Sequence, residues 1–450
     1  MALFGTFGIR GIVNRNLTSE LALKMGMSFA TLVKDGAIVV GCDGRTSSEM
    51  IKNSFISGVI SCGVNVIDVG MVPTPVVMFA TKTLKTKGGI MITASHNPPE
   101  YNGIKFLEPN GMGLKKEKEP MIEEIMEKEN FNLRTWDEIG KIEKKNILPE
   151  YFKKILSFVN REKIGNLKIV IDCGNGVGSL TLPYLLENIG CSVITLNSHI
   201  DGSFPGRGSE PTPENLKILG DMVKRTNSDF GVALDGDADR AIFVDEKGNF
   251  IQGDRSLALI IKNFIKNREG KVVTTVSTSH IIDDISGNRI IKTKIGDLIV
   301  ARKLLECGGI IGGEESGGVI FPEFVPGKNG SLATLKMAEI ISENKKPLSE
   351  LIDELPKYYQ YKEKIPCENK YKEKVIDEID KKLTEYKKDT TDGVKVFTEK
   401  GWFIVRASGT EPIIRCYSES KDKKEAKRLV ELGLKIVKET IDEIIRKRNT

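Results

Sequence analysis

The sequence has few histidines and no closely paired cysteines. Its 450 residues include three histidines and seven cysteines, and no two cysteines form a CxxC arrangement. With so few side chains that could bind zinc, we do not expect a structural zinc site. An odd number of unpaired cysteines is typical of reduced thiols in cytoplasmic proteins. We therefore predict a cytoplasmic chain without zinc or disulfide bonds.

Long apolar runs and a strong charge excess are also missing. No stretch reaches about 18 apolar residues, and the start MALFGTFGIRGIVN contains no long apolar segment. The 67 Lys and Arg residues exceed the 62 Asp and Glu residues only slightly, which gives a net charge of +5. We expect no export, no membrane anchoring and no nucleic-acid partner.

A repeated pattern organises the first part of the chain. Residues 37–70 and 168–197 both run as apolar strand, Gly-containing polar loop, amphipathic helix, Gly-Cys turn and second strand. A looser copy follows at residues 271–297. Each copy is a βαβ unit, which requires a parallel strand pair. The length likewise suggests roughly three such domains.

The pattern changes after about residue 366. A helical segment, a hairpin, a further strand and a final helix with one apolar stripe follow each other there. The fold class predicted is α/β: three similar mixed-sheet α/β domains plus a smaller C-terminal α+β domain around a central cleft. We predict the domain limits at residues 1–153, 154–251, 252–366 and 367–450.

Two polar loops follow apolar strands in the first two predicted domains. The serine loop, TASHNPPEYNGIK (93–105), places Ser95 and His96 where α/β proteins usually bind ligands. An ordinary turn would explain its Asn-Pro and Asn-Gly pairs equally well. The aspartate loop, DGDADR (235–240), carries carboxylates at alternate positions that can converge on one Mg²⁺ ion. An EF-hand is excluded, because Arg240 stands where that loop requires glycine and strands flank it.

Two further loops occur in the predicted third and fourth domains. The glutamate loop, GGEESGG (312–318), offers carboxylate and hydroxyl groups suited to the hydroxyls of a sugar, although a Gly-rich turn would look similar. The arginine loop, RASGTEPIIR (406–415), supplies two guanidinium groups, two hydroxyls and a flexible turn, the donor set for a phosphate dianion.

Nucleotide-binding signatures are absent or incomplete. There is no Walker A loop, and GNGVGS (174–179) has Ser179 at the third glycine position of the dinucleotide fingerprint. Together the four loops predict phosphoryl transfer on a sugar phosphate, with Ser95 carrying the phosphoryl group.

The four loops, in this order, resemble the signature loops of the α-D-phosphohexomutase superfamily, and the resemblance covers the whole chain. It implies interconversion of hexose 6-phosphate and hexose 1-phosphate through a bound bisphosphate, with a phosphoserine and Mg²⁺. The implied catalytic residues are Ser95, His96, Lys105, Arg10 and Arg240, and the implied metal ligands are Ser95, Asp235, Asp237 and Asp239. The implied substrate-binding residues are Glu314, Ser316, Arg406, Ser408, Gly409, Thr410 and Arg415.

Two positions differ among branches of the superfamily and bear on the sugar. This chain has Gly318 and Asp297 where some phosphomannomutase/phosphoglucomutase members have histidine. Asp297 resembles the phosphoglucosamine mutase branch, whereas the GEESGG ending is similar to archaeal-type enzymes that also act on mannose and glucose phosphates. Glucosamine phosphate is the predicted substrate, with mannose or glucose phosphate as the alternative.

Two other functions compete with a mutase. A Mg²⁺-dependent sugar phosphatase would use the same serine with water as acceptor, but it gains little from a second phosphate site. A non-catalytic sugar-phosphate sensor would not need Ser95, Lys105 and the three aspartates. The partner predicted is a small sugar phosphate, and the sequence does not define an oligomeric state.

Overall fold

The computed structural model describes residues 3–5, 7–409 and 411–449, whose strands form four separate sheets. The first sheet has six strands in the order β1-β5-β4-β2-β3-β6. They are β1 (Ile9–Ile12), β2 (Ala37–Cys42), β3 (Asn65–Met71), β4 (Gly89–Ile92), β5 (Tyr101–Leu107) and β6 (Ile142–Lys144). The helices of this part are α1 (Ser19–Val33), α2 (Ser48–Ser61), α3 (Thr74–Thr83) and α4 (Glu119–Glu127).

The first sheet confirms the predicted βαβ unit. Strands β2 and β3 pair in parallel across helix α2, and β2 also pairs in parallel with β4. Strand β2 is buried after its first residue, as its unbroken apolar sequence AIVVGC requires of a central strand. Strands β1 and β5 pair antiparallel and complete a mixed sheet.

The second sheet has four strands in the order β10-β9-β7-β8. They are β7 (Lys168–Asp172), β8 (Ser192–Leu196), β9 (Phe230–Leu234) and β10 (Ala241–Asp245), accompanied by helices α5 (Leu148–Leu156), α6 (Leu182–Glu187) and α7 (Lys217–Thr226). The β7–β8 pair is parallel, as the repeat predicted. Strands β9 and β10 are buried throughout and antiparallel, so the aspartate loop is the connection between two core strands.

The third sheet has the order β12-β11-β13-β14. Its strands are β11 (Val272–Thr275), β12 (Ile290–Thr293), β13 (Ile311–Gly313) and β14 (Val319–Ile320). The helices are α8 (Gly253–Phe264), α9 (His280–Ser286), α10 (Asp297–Cys307), α11 (Gly330–Asn344) and α12 (Leu348–Asp353). The third predicted βαβ unit is confirmed, because β11 and β12 pair in parallel across α9. The glutamate loop joins β13 to β14.

The fourth sheet is antiparallel, in the order β15-β19-β18-β17-β16. Its strands are β15 (Tyr359–Pro366), β16 (Lys387–Asp389), β17 (Val394–Thr398), β18 (Gly401–Ala407) and β19 (Ile413–Ser420), with helices α13 (Asn369–Lys382) and α14 (Lys423–Asn449). Strand β15 pairs with β19 along its whole length, so residues 359–366 belong to this sheet, whereas the sequence prediction placed them in the third domain. The apolar periodicity that marks the fourth domain becomes clear only after this half-exposed strand.

The first three domains share a hydrophobic core, whereas the fourth domain has a separate one. One continuous cluster contains residues from the first three sheets, among them Met91, Val232 and Val319. The fourth sheet has its own core, and a small cluster of Val276, Trp402, Ile404 and Tyr417 joins it to the third domain. No helix in the described ranges is long and apolar enough to cross a membrane.

Candidate active site

The serine loop leaves the buried strand β4 and turns sharply at Ser95. Ser95 has a φ of +53°, a left-handed conformation that is uncommon for a residue with a side chain. Its N–H donates to Thr93 Oγ1 at 2.8 Å, and its carbonyl accepts from Arg45 Nη2 at 2.8 Å. Surrounding hydrogen bonds therefore hold the serine backbone in a costly conformation, a feature that occurs often at active sites.

Arg45 is a residue that the sequence analysis missed. Its guanidinium is fully buried, pairs with Asp43 at 3.2 Å and donates to the carbonyls of Asn97 and Pro98, each at 2.7 Å. These bonds fix the shape of the serine loop from the neighbouring strand β2. The available signal was the position of Arg45 in the polar Gly loop of the first βαβ unit, at the same sheet edge as the serine loop.

The aspartate loop packs directly against the serine loop. Ser95 Oγ donates to Asp235 Oδ2 at 3.1 Å, and both residues are buried. A Cβ atom on Gly236 would lie 2.6 Å from the Ser95 carbonyl oxygen, so only glycine allows this approach. The predicted nucleophile and the predicted metal loop thus meet across the first and second domains.

The three aspartates of this loop could hold a metal ion. One carboxylate oxygen from each of Asp235, Asp237 and Asp239 lies within 4.8 Å of the others. The Oδ1 atoms of Asp237 and Asp239 are buried and have no hydrogen-bond partner among the described residues. Burial, with repulsion from its two neighbours, raises the pKa of Asp235 to about 7. A compact all-carboxylate set with two unsatisfied oxygens fits a hard divalent cation such as Mg²⁺.

Lys105 neutralises part of this negative charge. Its Nζ donates to Asp237 Oδ2 at 2.6 Å and lies 3.6 Å from Asp239 Oδ2. Burial alone raises the pKa of Asp237, but the charge and hydrogen bond of Lys105 outweigh burial and lower that pKa below its usual range. Thr74 donates a further hydrogen bond to Asp237, so this carboxylate stays ionised.

Lys328 is a second cation that the sequence analysis missed. Its buried Nζ lies 3.1 Å from Asp297 Oδ2 and 3.8 Å from Asp239 Oδ1. Burial lowers the pKa of Lys328, but Asp239 and Asp297 outweigh this effect and raise it above the usual value. The only signal was a lysine between two glycine-containing turns in PGKNG, ahead of helix α11. Its position ties the aspartate loop to the third domain.

His96 lies between the serine and Arg240. Its Nδ1 is 3.4 Å from Ser95 Oγ and 3.0 Å from Arg240 Nη2. Burial and the nearby charges of Arg240 and Arg10 lower the pKa of His96 far below its usual range, so the ring is neutral. Because arginine can only donate, Nδ1 is the acceptor and the ring proton is on Nε2. Arg10 donates to Asn97 Oδ1 at 2.9 Å on the same loop.

The glutamate loop contributes a buried carboxyl group. Gly296 N–H donates to Glu314 Oε1 at 2.9 Å, and burial raises the pKa of Glu314 to about 7. Ser316 is half-buried on the same loop. Glu314 can therefore change between accepting and donating hydrogen bonds near neutral pH, which suits contacts with sugar hydroxyls.

The arginine loop connects β18 to β19. Arg406 and Arg415 are cross-strand partners in this antiparallel pair, so their guanidinium groups start from neighbouring backbone positions. A Cβ atom added to Gly409 would have no described atom within 4 Å, which leaves the turn accessible. Thr410, predicted as a substrate-binding residue, lies outside the described residues.

A buried lysine shapes this loop. Lys372 donates to the carbonyl oxygens of Ser408 and Glu411, and the Ser408 hydroxyl accepts from Glu411 N–H at 3.2 Å. Sequence analysis missed Lys372, because a lysine on a charged helix such as α13 usually faces solvent. Hydrogen bonds from Lys372 on helix α13 therefore fix the conformation of the arginine loop.

The structure brings the predicted loops into one continuous region. The serine and aspartate loops touch, and Lys328 links the aspartate loop to Asp297 beside the glutamate loop. Glu315 of the glutamate loop interacts electrostatically with Arg406 of the arginine loop. The four loops, one from each domain, are thus connected to one another by contacts and electrostatic interactions between charged side chains.

Comparison with known proteins matches each part of the chain to a domain of the same protein family. Models of the phosphoglucomutase/phosphomannomutase α/β/α domains I, II and III match residues 1–133, 149–248 and 252–359. The model of the phosphoglucomutase/phosphomannomutase C-terminal domain matches residues 363–432.

Individual relatives match over nearly the whole chain. A protein named phosphoglucomutase/phosphomannomutase from Thermococcus kodakarensis is 52% identical, with 98% of this chain and 99% of that protein covered. A "Probable phosphoglucosamine mutase" from Pyrococcus furiosus is 43% identical, with 98% of each covered. The crystal structure of a phosphoglucomutase/phosphomannomutase family protein from Burkholderia thailandensis superimposes with a TM-score of 0.87 at 28% identity, covering 98% of this chain and 97% of that one. The chain therefore belongs to the phosphoglucomutase/phosphomannomutase family of the α-D-phosphohexomutase superfamily.

Proposed function

We propose that this protein interconverts hexose 6-phosphate and hexose 1-phosphate through a phosphoserine at Ser95 and a bound hexose bisphosphate. The observation that carries the proposal is the contact between Ser95 Oγ and Asp235 Oδ2 at 3.1 Å, beside two buried carboxylate oxygens that have no hydrogen-bond partner among the described residues. A serine next to a set of carboxylate oxygens that can hold a divalent cation is suited to phosphoryl transfer, in which charge neutralisation is the main requirement.

The transfer step can be described for this chain's own residues. A sugar hydroxyl attacks the phosphorus on Ser95, the bond from phosphorus to Oγ breaks, and the hydroxyl proton passes by way of a base to the released Oγ, which restores the serine hydroxyl. Lys105 and Arg240 lie beside the serine and offset the phosphoryl charge. Mg²⁺ held by Asp235, Asp237 and Asp239 would supply further charge neutralisation.

Of the two bases that the resemblance offers, the geometry favours His96. Lys105 already donates to Asp237 at 2.6 Å, whereas Nδ1 of His96 carries no proton and lies 3.4 Å from Ser95 Oγ. Arg240 now occupies that nitrogen at 3.0 Å. We infer that Arg240 turns toward the phosphoryl oxygens and frees Nδ1 to accept the proton.

The arginine loop explains how a bisphosphate stays bound. After the first transfer both ends of the sugar carry phosphate, and the molecule must turn over before the second transfer returns a phosphoryl group to Ser95. We propose that Arg406, Ser408, Gly409, Thr410 and Arg415 hold whichever phosphate is not reacting. Glu314 and Ser316 bind hydroxyls common to both orientations.

For the sugar, we propose glucosamine phosphate as the preferred substrate, with glucose and mannose phosphates as the alternative. Two carboxylates are available for a C2 ammonium group, Asp297 and Glu315. A specific observation favours the alternative: Asp297 is already paired with Lys328 at 3.1 Å, and Glu315 accepts from Ser277 Oγ at 3.0 Å.

The experiment that tests the mutase activity is product identification. The protein, loaded with Mg²⁺ and a trace of hexose bisphosphate, is incubated with glucosamine, glucose or mannose 6-phosphate, and ³¹P NMR follows each phosphate. A mutase converts 6-phosphate to 1-phosphate without accumulating inorganic phosphate. Inorganic phosphate released at the rate of turnover would instead identify a phosphatase, and an unchanged spectrum would exclude both enzymes.

A further inference from the structure

The turn between β16 and β17 brings an aspartate beside the arginine loop. Gly393 has a φ of +78°, and a Cβ atom there would lie 2.2 Å from the Val405 carbonyl oxygen and 2.8 Å from Arg406 Cα. Only glycine permits both this conformation and this approach. The turn therefore lies beside strand β18 at Arg406. It holds Asp392, the residue before Gly393, next to Arg406.

One carboxylate oxygen of Asp392 serves two domains. Asp392 Oδ2 lies 3.4 Å from Arg406 Nε in its own domain and accepts a hydrogen bond from Ile295 N–H of the third domain at 2.9 Å. The side chains of Asp392 and Arg406 are only 20% and 13% exposed, so water screens this pair less than it would a surface ion pair. The bond to the backbone needs a defined position, not only a negative charge.

The segment Ile295–Asp297 contacts a different part of the site with each of its residues. Ile295 binds Asp392, Gly296 N–H donates to Glu314 at 2.9 Å, and Asp297 pairs with Lys328 at 3.1 Å. Three consecutive residues thus contact Asp392 beside the arginine loop, Glu314 of the glutamate loop and Lys328 beside the aspartate loop. Because the three residues are consecutive and successive Cα atoms are only about 3.8 Å apart, a displacement of this segment as a unit moves all three contacts.

We propose that Asp392 is a positioning residue that fixes Arg406 against the third domain and sets the distance between the arginine loop and Glu314. Its role rests on the proposed function, since Arg406 is taken to bind the non-reacting phosphate of the sugar. Asp392 does not contact the reacting atoms. It determines whether both ends of one hexose phosphate are held at the same time.

The proposal separates two actions of the same carboxylate. If Asp392 only balances the charge of Arg406, replacement by Asn and by Ala should have the same effect, because both remove the charge. If the bond to Ile295 N–H sets the position, Asp392→Asn keeps an acceptor oxygen and should retain much of the function that Asp392→Ala loses. The conservative variant therefore decides between the two explanations.

Steady-state kinetics on the full chain provide the first test. We expect Asp392→Ala to raise the KM for hexose 6-phosphate by about tenfold or more, the range for a lost charge-assisted hydrogen bond, and to change kcat by less. Asp392→Asn should recover most of the KM. Asp389→Asn, in the same turn region and bonded to Thr391 N–H at 2.8 Å, is the matched control and should match the wild type. Equal KM values for the Asn and Ala variants would overturn the proposal.

A double-mutant cycle measured by binding provides the second test and does not need turnover. Titration calorimetry with glucose 6-phosphate is carried out in a Ser95→Ala background, with Asp392→Ala, Arg406→Ala and both. We expect the double variant to bind no more weakly than Arg406→Ala alone, because Asp392 acts through Arg406. Additive losses, or wild-type affinity for Asp392→Ala with unchanged thermal stability, would refute the role of Asp392.

The two tests also separate this proposal from the mutase assignment. If the wild type binds glucose 6-phosphate but does not isomerise it, the mutase assignment fails, while the cycle still decides the role of Asp392. If the wild type binds no hexose phosphate at all, both proposals are wrong.

Discussion

The two halves of the site are built differently. Around the serine, Ser95, Asp235, Asp237 and Lys105 are each at most 2% exposed and lie where the first two domains share one continuous core. At the proposed phosphate-binding end, the side chain of Arg415 is 34% exposed, and among the described residues a small apolar cluster and polar bonds join the fourth domain to the third. For the proposed mechanism, this contrast predicts a rigid reacting end and a fourth domain that can adjust while the bisphosphate turns over.

Polar contacts dominate the attachment of the fourth domain. The buried carboxylate of Glu419 accepts from His280 N–H of the third domain at 2.9 Å, and Lys395 Nζ donates to the Val276 carbonyl of that domain at 2.8 Å. Such bonds contribute about 1 kcal/mol each, far less than the large shared core of the other three domains. The difference in attachment therefore matches the difference in expected mobility.

The largest effect should follow from removing the serine hydroxyl. Ser95→Ala should lower kcat at least ~10³-fold, since transfer loses its covalent carrier. Intact-mass analysis of active wild-type protein should show a phosphoryl adduct that this variant lacks. Ser57→Ala, on the exposed side of α2, is the control and should keep both the adduct and the activity. Near-normal turnover by Ser95→Ala would contradict the assignment.

The proposed metal ligands should give the next largest effect. Asp239→Asn removes one of the three converging carboxylates and should raise the Mg²⁺ concentration for half-maximal activity by about tenfold or more. A second readout is the rise in unfolding temperature that Mg²⁺ causes in the wild type, which the variant should lose. Asp221→Asn, an exposed substitution on α7, should behave like the wild type. Full turnover by wild type after EDTA treatment would exclude the metal.

A change of pH should have a smaller effect, on the affinity for Mg²⁺, through the protonation of Asp235. Because burial and two neighbouring carboxylates raise the pKa of Asp235 to about 7, the metal-free site carries a proton below that pH. Mg²⁺ needs the ionised carboxylate, so its affinity should fall by up to about tenfold per pH unit below 7 and level off above 7. Calorimetry of Mg²⁺ binding between pH 5.5 and 8 measures this slope. A flat profile would mean that Asp235 is ionised throughout.

Sequence patterns predicted most of the fold and the composition of the site, for identifiable reasons. The three βαβ units have apolar strands and glycine turns at fixed spacing, and all three are parallel in the structure. The serine and aspartate loops lie next to each other in the structure. The roles of their residues stay predictions.

Residues outside the four predicted loops could not be found in the same way. Arg45, Lys328 and Lys372 act through contacts with residues distant in sequence, and each stands in a segment that looks like an ordinary turn or helix. The predicted boundary at residue 366 separates strand β15 from the sheet with which it pairs, because half-exposed edge strands have weak apolar alternation. Long-range pairing of this kind depends on the tertiary structure and leaves little local signal.

The smallest expected effect is on the preference between sugars. It depends on Asp297, which lies between the rigid and the adjustable halves of the site. Asp297 Oδ2 is 3.1 Å from Lys328, so a C2 ammonium group would have to share this carboxylate with the lysine. A partly screened charge contact of this kind contributes about 1 kcal/mol, or roughly five- to tenfold in kcat/KM. We therefore expect a modest preference for glucosamine 6-phosphate over glucose and mannose 6-phosphates, which Asp297→Asn should abolish.

The measurement is kcat/KM for the three 6-phosphates on wild type, Asp297→Asn and the control Asp284→Asn, whose carboxylate binds the Tyr358 hydroxyl at 3.0 Å on the outer side of the third domain. A preference lost only in Asp297→Asn would show that this carboxylate selects the amine in spite of Lys328. If wild type prefers glucose or mannose phosphate and Asp297→Asn keeps that preference, the ion pair has fully neutralised Asp297. In that case Asp297 serves to hold Lys328 beside the aspartate loop, and it belongs functionally to the rigid half of the site.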